Sequence, residues 1–204
     1  RTLTYDETSK GWTSFFDYKP ETMFSSRGAF YSTKEVGTTP YIYQHYSTAV
    51  SRNNFYGVDN VSSVQFVFNP SPNNIKTFQT INYEGTNGWE LDSMKGMEFT
   101  LPDTSIVYDQ TLSISSYTMP TTMQQLQDDL FSNEFKRKEN KYFANLINNS
   151  VATQGEVVFG QSSTGIKGFF ATVKMKIPSA TLTANPGTKY ELFSVASEIS
   201  QSSY

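Results

Sequence analysis

The sequence predicts an all-β chain of short antiparallel strands in meanders, propeller-blade-like or sandwich-like, with one short covering helix. Three observations predict it. Aromatic residues make up 15% of the chain against 17% charged, with 13 Tyr and 16 Phe, and that mixture, rich also in Ser, Thr and Asn, favours strands and turns over helices. Apolar residues recur at a period of two within residues 63–91 and again at 169–177, as a half-buried strand requires because successive side chains leave opposite faces of the pleat. Clusters of Pro, Gly and Asn punctuate these runs.

Residues 11–46 read as three short strands. Trp12 to Tyr18 is the first, ended by Lys19-Pro20-Glu21, and Met23 to Ser32 is the second, with Arg27-Gly28 as a bulge. Tyr41 to Tyr46 is the third, with Tyr41, Tyr43 and His45 on one side and Ile42, Gln44 and Tyr46 on the other. Neither side is clean, which marks an edge or an aromatic contact surface. Asn53 to Gly57 turns the chain into the central stretch, Ser63 to Leu91, where Val64, Phe66 and Phe68 share a face. Two prolines in the loop Asn69 to Asn74 remove ladder donors and end that strand. A longer strand follows, with Ile75, Thr77, Gln79, Ile81 and Tyr83 on one face. Lys76, Thr80, Asn82 and Glu84 lie opposite, and Phe78 is the exception.

Lys95 to Leu101 and Ile106 to Tyr117 add strands on either side of Pro102-Asp103. Met123, Leu126 and Leu130 recur at helical spacing and predict a helix over 122–131, capped by Thr121 or Thr122 with a Gln three residues on. Phe135 to Lys138 and Tyr142 to Ile147 pair across Glu139-Asn140-Lys141. Phe169 to Ile177 is the strongest strand, with five apolar residues at alternate positions. Asn185-Pro186-Gly187 turns the chain into a last strand, Lys189 to Val195. The expected division is an aromatic-rich meander over 1–60, the end of a larger propeller-like domain, and a sandwich-like domain over 61–204 that carries the helix.

A net charge of −3 gives no global basic field to gather nucleic acid or an anionic membrane. With no cysteine, disulfides and thiolate metal sites are excluded. No apolar run approaches the roughly 18 residues that cross a bilayer. The chain opens on Arg1 rather than methionine, and we read it as a piece of a longer polypeptide.

Little in the sequence carries chemistry. His45 is the one histidine, so a multi-histidine metal site is ruled out and a serine nucleophile would have to use it, without a G-x-S-x-G elbow. Glu84, Glu90, Asp92 and Asp17 lie near Trp89 or Trp12 and invite a glycosidase comparison, but they read as strand-end charges beside core rings. Gly85-Thr86-Asn87-Gly88 lacks the lysine and helix of a phosphate loop and reads as a turn. We therefore assign no catalytic, cofactor or metal residue and expect no enzyme. Lys136, Arg137 and Lys138 interleave with aromatics, a pattern for nucleic-acid contact or for charges that blunt an exposed strand edge. The candidate interaction surface is Trp12, Tyr41, Tyr43, His45, Tyr46, Trp89 and this basic run.

The phrase from Lys10 to Glu21, KGWTSFFDYKPE, followed by Ala29-Phe30-Tyr31-Ser32 and Asn54-Phe55-Tyr56-Gly57, resembles virion structural proteins of crAss-like gut phages and marine cyanophages. Lys76 to Gly85 and the ending from Tyr190 to Glu198, closing on Ser202-Ser203-Tyr204, are similar to the same family. The resemblance implies the C-terminal portion of a tail-assembly protein in the virion, of nozzle or muzzle type. It implies partners among copies of the chain and other tail proteins, with genomic DNA in a tail channel or host-surface glycan as further contacts, and it brings no catalytic motif. A receptor- or glycan-binding module using Trp12, Trp89 or Tyr41 to Tyr46 is the alternative.

Overall fold

The computed structural model describes residues 1–100, 106–111, 113–122, 133–148 and 165–201. It is mostly antiparallel strand and divides into two compact units. Unit 1 holds residues 1–60 and 179–189; unit 2 holds 61–178 and 190–204. The segment 179–189, expected in the second domain, thus groups with the first. The helix expected over 122–131 lies, beyond Thr122, outside the described residues.

In unit 1, β1 (Thr2–Asp6) and β2 (Gly11–Phe16) form a hairpin. Its turn is held by the Asp6 carboxylate, which accepts backbone N–H bonds from Thr8 at 3.1 Å and Ser9 at 3.0 Å. Next, β3 (Thr22–Ser26), β4 (Ala29–Val36) and β5 (Thr39–Gln44) form a sequential meander. Arg27-Gly28, expected as a bulge inside one strand, is instead the two-residue turn between β3 and β4. Both residues take positive φ, 49° and 77°, the backbone that matches the twist of a tight hairpin. Tyr56-Gly57, at 56° and 80°, does the same between β6 (Asn54–Phe55) and β7 (Val58–Asp59). A short helix, α1 (Ser179–Ala184), completes the unit. Asp59 ties it in, accepting from Ser51, from Asn54 Nδ2 at 2.8 Å and from Thr183 Oγ1 of α1 at 3.0 Å.

Unit 2 begins with β8 (Ser62–Phe68), β9 (Lys76–Phe78) and β10 (Thr80–Gly85). It continues with β11 (Glu90–Thr100), β12 (Ile106–Gln110), β13 (Lys136–Lys138) and β14 (Lys141–Asn145). β15 (Ile166–Gly168), β16 (Ala171–Ile177), β17 (Leu192–Ala196) and β18 (Ile199–Gln201) complete it. Two four-stranded sheets run in the orders β13-β14-β10-β17 and β12-β11-β16-β8, and a third in the order β15-β9-β18. The fully buried side chains come from all three: Ile81 and Tyr83 on β10, Leu91, Met94, Val173 and Met175 on β11 and β16, Phe78 and Ile166 on β9 and β15.

The strand expected from Ile75 to Glu84 is in fact two, and its alternation changes phase between them. Lys76 and Phe78 are buried, Gln79 is exposed, and Ile81 and Tyr83 are buried. At the break, Gln79 donates its N–H to the Glu198 carbonyl at 2.8 Å and accepts from Leu146 N–H at 2.9 Å, so β9 and β10 belong to different sheets. Lys76, expected on the outer face, is 1% exposed. Its ammonium donates to the carbonyls of Ser71 at 3.0 Å and Asn74 at 3.1 Å, pinning the proline loop that precedes it. A second phase shift sits in β11. Its register against β16 slips between Leu91 and Ser93, so Asp92 is an extra residue and both Leu91 and Met94 face inward. β16 alternates without a break, burying Ala171, Val173, Met175 and Ile177 as expected, while Phe169, expected as the first of the set, lies outside the strand and is only half-buried.

Candidate interaction surfaces

Unit 1 carries rings rather than a core. A cleft of about 430 Å³ opens among Tyr18, Tyr43, His45, Tyr46, Phe55 and Tyr56. β5 and the turn after it supply three of these residues, and the β6–β7 hairpin supplies two. Tyr18 stacks on Phe55 with centroids 4.4 Å apart, Tyr43 meets Tyr56 edge-on at 4.7 Å, and His45 lies 4.9 Å from Phe30. One buried hydroxyl organises them. Ser32 Oγ on β4 is 2.7 Å from His45 Nε2 and 2.9 Å from the Tyr56 hydroxyl. Burial holds the His45 pKa below its ordinary value and pushes that of Tyr18 up, the latter helped by Tyr46 and Tyr56. At neutral pH the imidazole is therefore uncharged. Ser32 is fully buried, so this Ser–His pair presents no nucleophile to a substrate.

Tyr46 differs from its neighbours in exposure, though Tyr56 shares its left-handed backbone. Tyr46 is 82% exposed and sits at φ 61°, a left-handed backbone that a residue with a side chain adopts at a cost of about 1–2 kcal/mol. A strained, exposed ring at the mouth of a cleft is a feature that structure alone does not explain.

The remaining sequence candidates scatter. Trp12 on β2 is 62% exposed and meets Tyr5 edge-on at 5.3 Å. Tyr41 is 48% exposed on β5 and lies 6.2 Å from Tyr43. Trp89, expected on a contact surface, is buried, with its indole N–H donating to the Glu191 carbonyl at 3.2 Å. It precedes β11 and faces inward in phase with Leu91, so it is a core residue of unit 2. Lys136, Arg137 and Lys138 form β13, the end strand of its sheet, and Lys136 pairs with Glu134 at 3.1 Å. Their place is where cationic side chains prevent edge-to-edge pairing.

The four carboxylates weighed for sugar chemistry divide between the units, Asp17 in unit 1 and Glu84, Glu90 and Asp92 in unit 2. Asp17 pairs with Arg1 at 3.5 Å and Glu84 with Lys141 at 2.6 Å. Asp92 holds Lys174 at 2.9 Å and Lys176 at 2.7 Å, one on each oxygen. Those two hydrogen bonds keep its carboxyl below the usual range, while burial raises that of Glu90 against the pull of Lys176. Divergent pKa values on neighbouring acids are one mark of an acid–base pair. Here the two acids sit two residues apart on one strand, and both oxygens of Asp92 are occupied by ammonium groups.

Sequence reasoning missed Tyr18 and Tyr56 as parts of the cleft, and Ser32 as the buried hydroxyl that ties His45 to Tyr56. No local pattern marks them, because they meet through three different elements. Among the described residues no helix is long and apolar enough to cross a membrane.

Residues 50–149 match the family model of the Crassvirus muzzle protein C-terminal domain. No curated protein matches the chain. The family match supports the C-terminal portion of a phage structural protein, and it indicates a virion component with a tail-related role. It bears on the crAss-like side of the resemblance, not on the cyanophage side. It runs from the β6–β7 hairpin through β14, including the middle of the chain, and leaves Trp12 and Tyr41 to Tyr46 outside.

Proposed function

We propose, with that match as premise, that the chain is a non-enzymatic structural part of an oligomeric tail assembly of muzzle or nozzle type, working by burial against copies of itself and adjacent tail proteins. One observation carries the reading. Among the described residues, Leu182 is the one buried apolar side chain in unit 1, whereas Trp12, Phe15, Ile42 and Tyr46 are each more than 60% exposed. A unit with so little interior does not offset its ordering entropy by itself, and exposed apolar surface of this density is normally covered by a partner.

Sedimentation velocity over a wide concentration range tests it. Reversible assembly into multimers is expected; a monomer at every concentration overturns the reading. Release of reducing ends from host polysaccharide would overturn the non-enzymatic part.

The aromatic cleft favours a second reading, glycan binding, because half-exposed rings beside Gln44, Arg52 and Asn54 suit a sugar's apolar face and polar edge. Glycan-array binding that Tyr46→Gly abolishes without lowering stability supports it. An array on which the chain gives no signal removes it.

A further inference from the structure

We propose that the side of unit 2 bounded by β8 and β17 is a strand-acceptor seam, filled in the assembly by an extended strand from a second copy of this chain. β8 ends one four-stranded sheet and β17 ends the other. Among the described residues neither strand has a ladder on its outer side. Between them lies a groove of about 270 Å³ lined by residues 64 and 66–68 of β8 and 192–195 of β17.

Val64, Phe66, Phe68, Leu192 and Val195 belong to the inner faces of the sheets. Val64, Phe66 and Phe68 stand across from Met175, Val173 and Ala171, and Val195 stands across from Tyr83. Directly paired residues share a face. All four partners are at 0% exposure, yet Val64 is 37% exposed and Phe66, Phe68, Leu192 and Val195 are only half-buried. The inner row is dry one strand in and wet at the edge. Among the described residues, one strand's width of cover is missing.

The edges themselves are unguarded by charge or proline. Open strands are normally blunted with lysine, proline or bulges. β13, at the far end of the sheet that β17 closes, follows that rule with Lys136-Arg137-Lys138. β8 (SSVQFVF) and β17 (LFSVA) carry neither a charge nor a proline; β8 pairs without a break, β17 has a single bulge at Phe193, and their outward Val67 and Phe193 are 55% and 72% exposed. The chain protects one end of that sheet and leaves the other ready to pair.

The matching donor is an uncharged, proline-free strand with exposed apolar residues, and unit 1 presents two. β2 (GWTSFF) and β3 (TMFSS) are end strands of their sheets, with Trp12, Phe15, Met23 and Phe24 exposed. Neutral edge against neutral edge leaves no charge to desolvate, and the added strand gains backbone hydrogen bonds along its length. Donor and acceptor are different surfaces, so the contact is head-to-tail and propagates into a ring or a filament. The inference rests on the assembly reading above.

The test compares the wild-type chain with Val67→Lys/Phe193→Lys and with Met119→Lys, an exposed apolar position outside the seam. Sedimentation should show assembly for the wild type and for Met119→Lys, and association weakened at least about tenfold for the double variant. Amide hydrogen exchange of wild-type Val64 to Phe68 and Leu192 to Ala196 should slow as concentration rises, a readout that needs no variant to fold. A double variant that assembles as the wild type does, or an assembled wild type with unchanged exchange at these amides, overturns the seam and leaves the assembly reading standing. A wild type that never assembles removes both.

Discussion

Phe78→Ala separates the observed fold from the simple alternation of its sequence. If one strand ran from Ile75 to Glu84, Phe78 would face water and Gln79 the core. In the structure Phe78 is fully buried and paired with Ile166 on one side and Ile199 on the other, while Gln79 is exposed. Truncating a buried Phe to Ala removes its transfer free energy and leaves a cavity, together about 3–5 kcal/mol. Truncating an exposed Gln changes stability by about 0.5 kcal/mol or less. For a chain of this size each kcal/mol corresponds to about 2–4 °C in Tm, so Phe78→Ala should melt roughly 6–20 °C early and Gln79→Ala near the wild type. The assay is urea unfolding followed by tryptophan fluorescence in a Trp12→Phe background. That leaves buried Trp89 as the single reporter and confines the signal to unit 2. A Phe78→Ala cost below about 1 kcal/mol, or a larger one for Gln79→Ala, would refute the phase break.

Other outcomes follow from the same packing. Ser32→Ala strands His45 Nε2 and the Tyr56 hydroxyl and should destabilise unit 1 by about 1–3 kcal/mol, read as an earlier transition by differential scanning calorimetry. The His45 pKa is depressed on folding, so the unfolded chain binds more protons below the ordinary value of 6.5. Its contribution is therefore present above pH 6.5 and lost as pH falls through the folded pKa. NMR of this single imidazole should titrate below 6.5 with a parallel loss of stability; a titration above 6.5 contradicts the partly buried neutral ring. Asp92→Asn breaks two partly exposed ion pairs and should cost about 1 kcal/mol or less, with the gap from wild type closing in high salt. In Gly85→Ala the new Cβ overlaps the Glu191 carbonyl oxygen. About 1–3 kcal/mol of overpacking is expected, seen as faster amide exchange across Leu192 to Ala196.

The sequence by itself determined that the chain is β, where its strongest strand lies and that Lys136 to Lys138 pairs with the segment after Glu139-Asn140. These follow from local rules: alternation within a run, and Pro, Gly or Asn at its ends. Only the tertiary structure decided which face each run buries. The slip at Asp92 and the break at Gln79 depend on which strand lies alongside, and β9 and β10 pair with segments far away in the sequence, such as Thr80 with Asn145 and Phe78 with Ile166. The same limit explains the sites. Trp89 and Trp12 look alike in sequence, yet one closes a core and the other faces water. The cleft draws on β5 and the β6–β7 turn, with Ser32 of β4 tying His45 to Tyr56, and the groove between β8 and β17 exists because two sheets end side by side. Periodicity is a property of neighbours along the chain, whereas burial and open edges are set by neighbours in space, which a linear pattern does not specify.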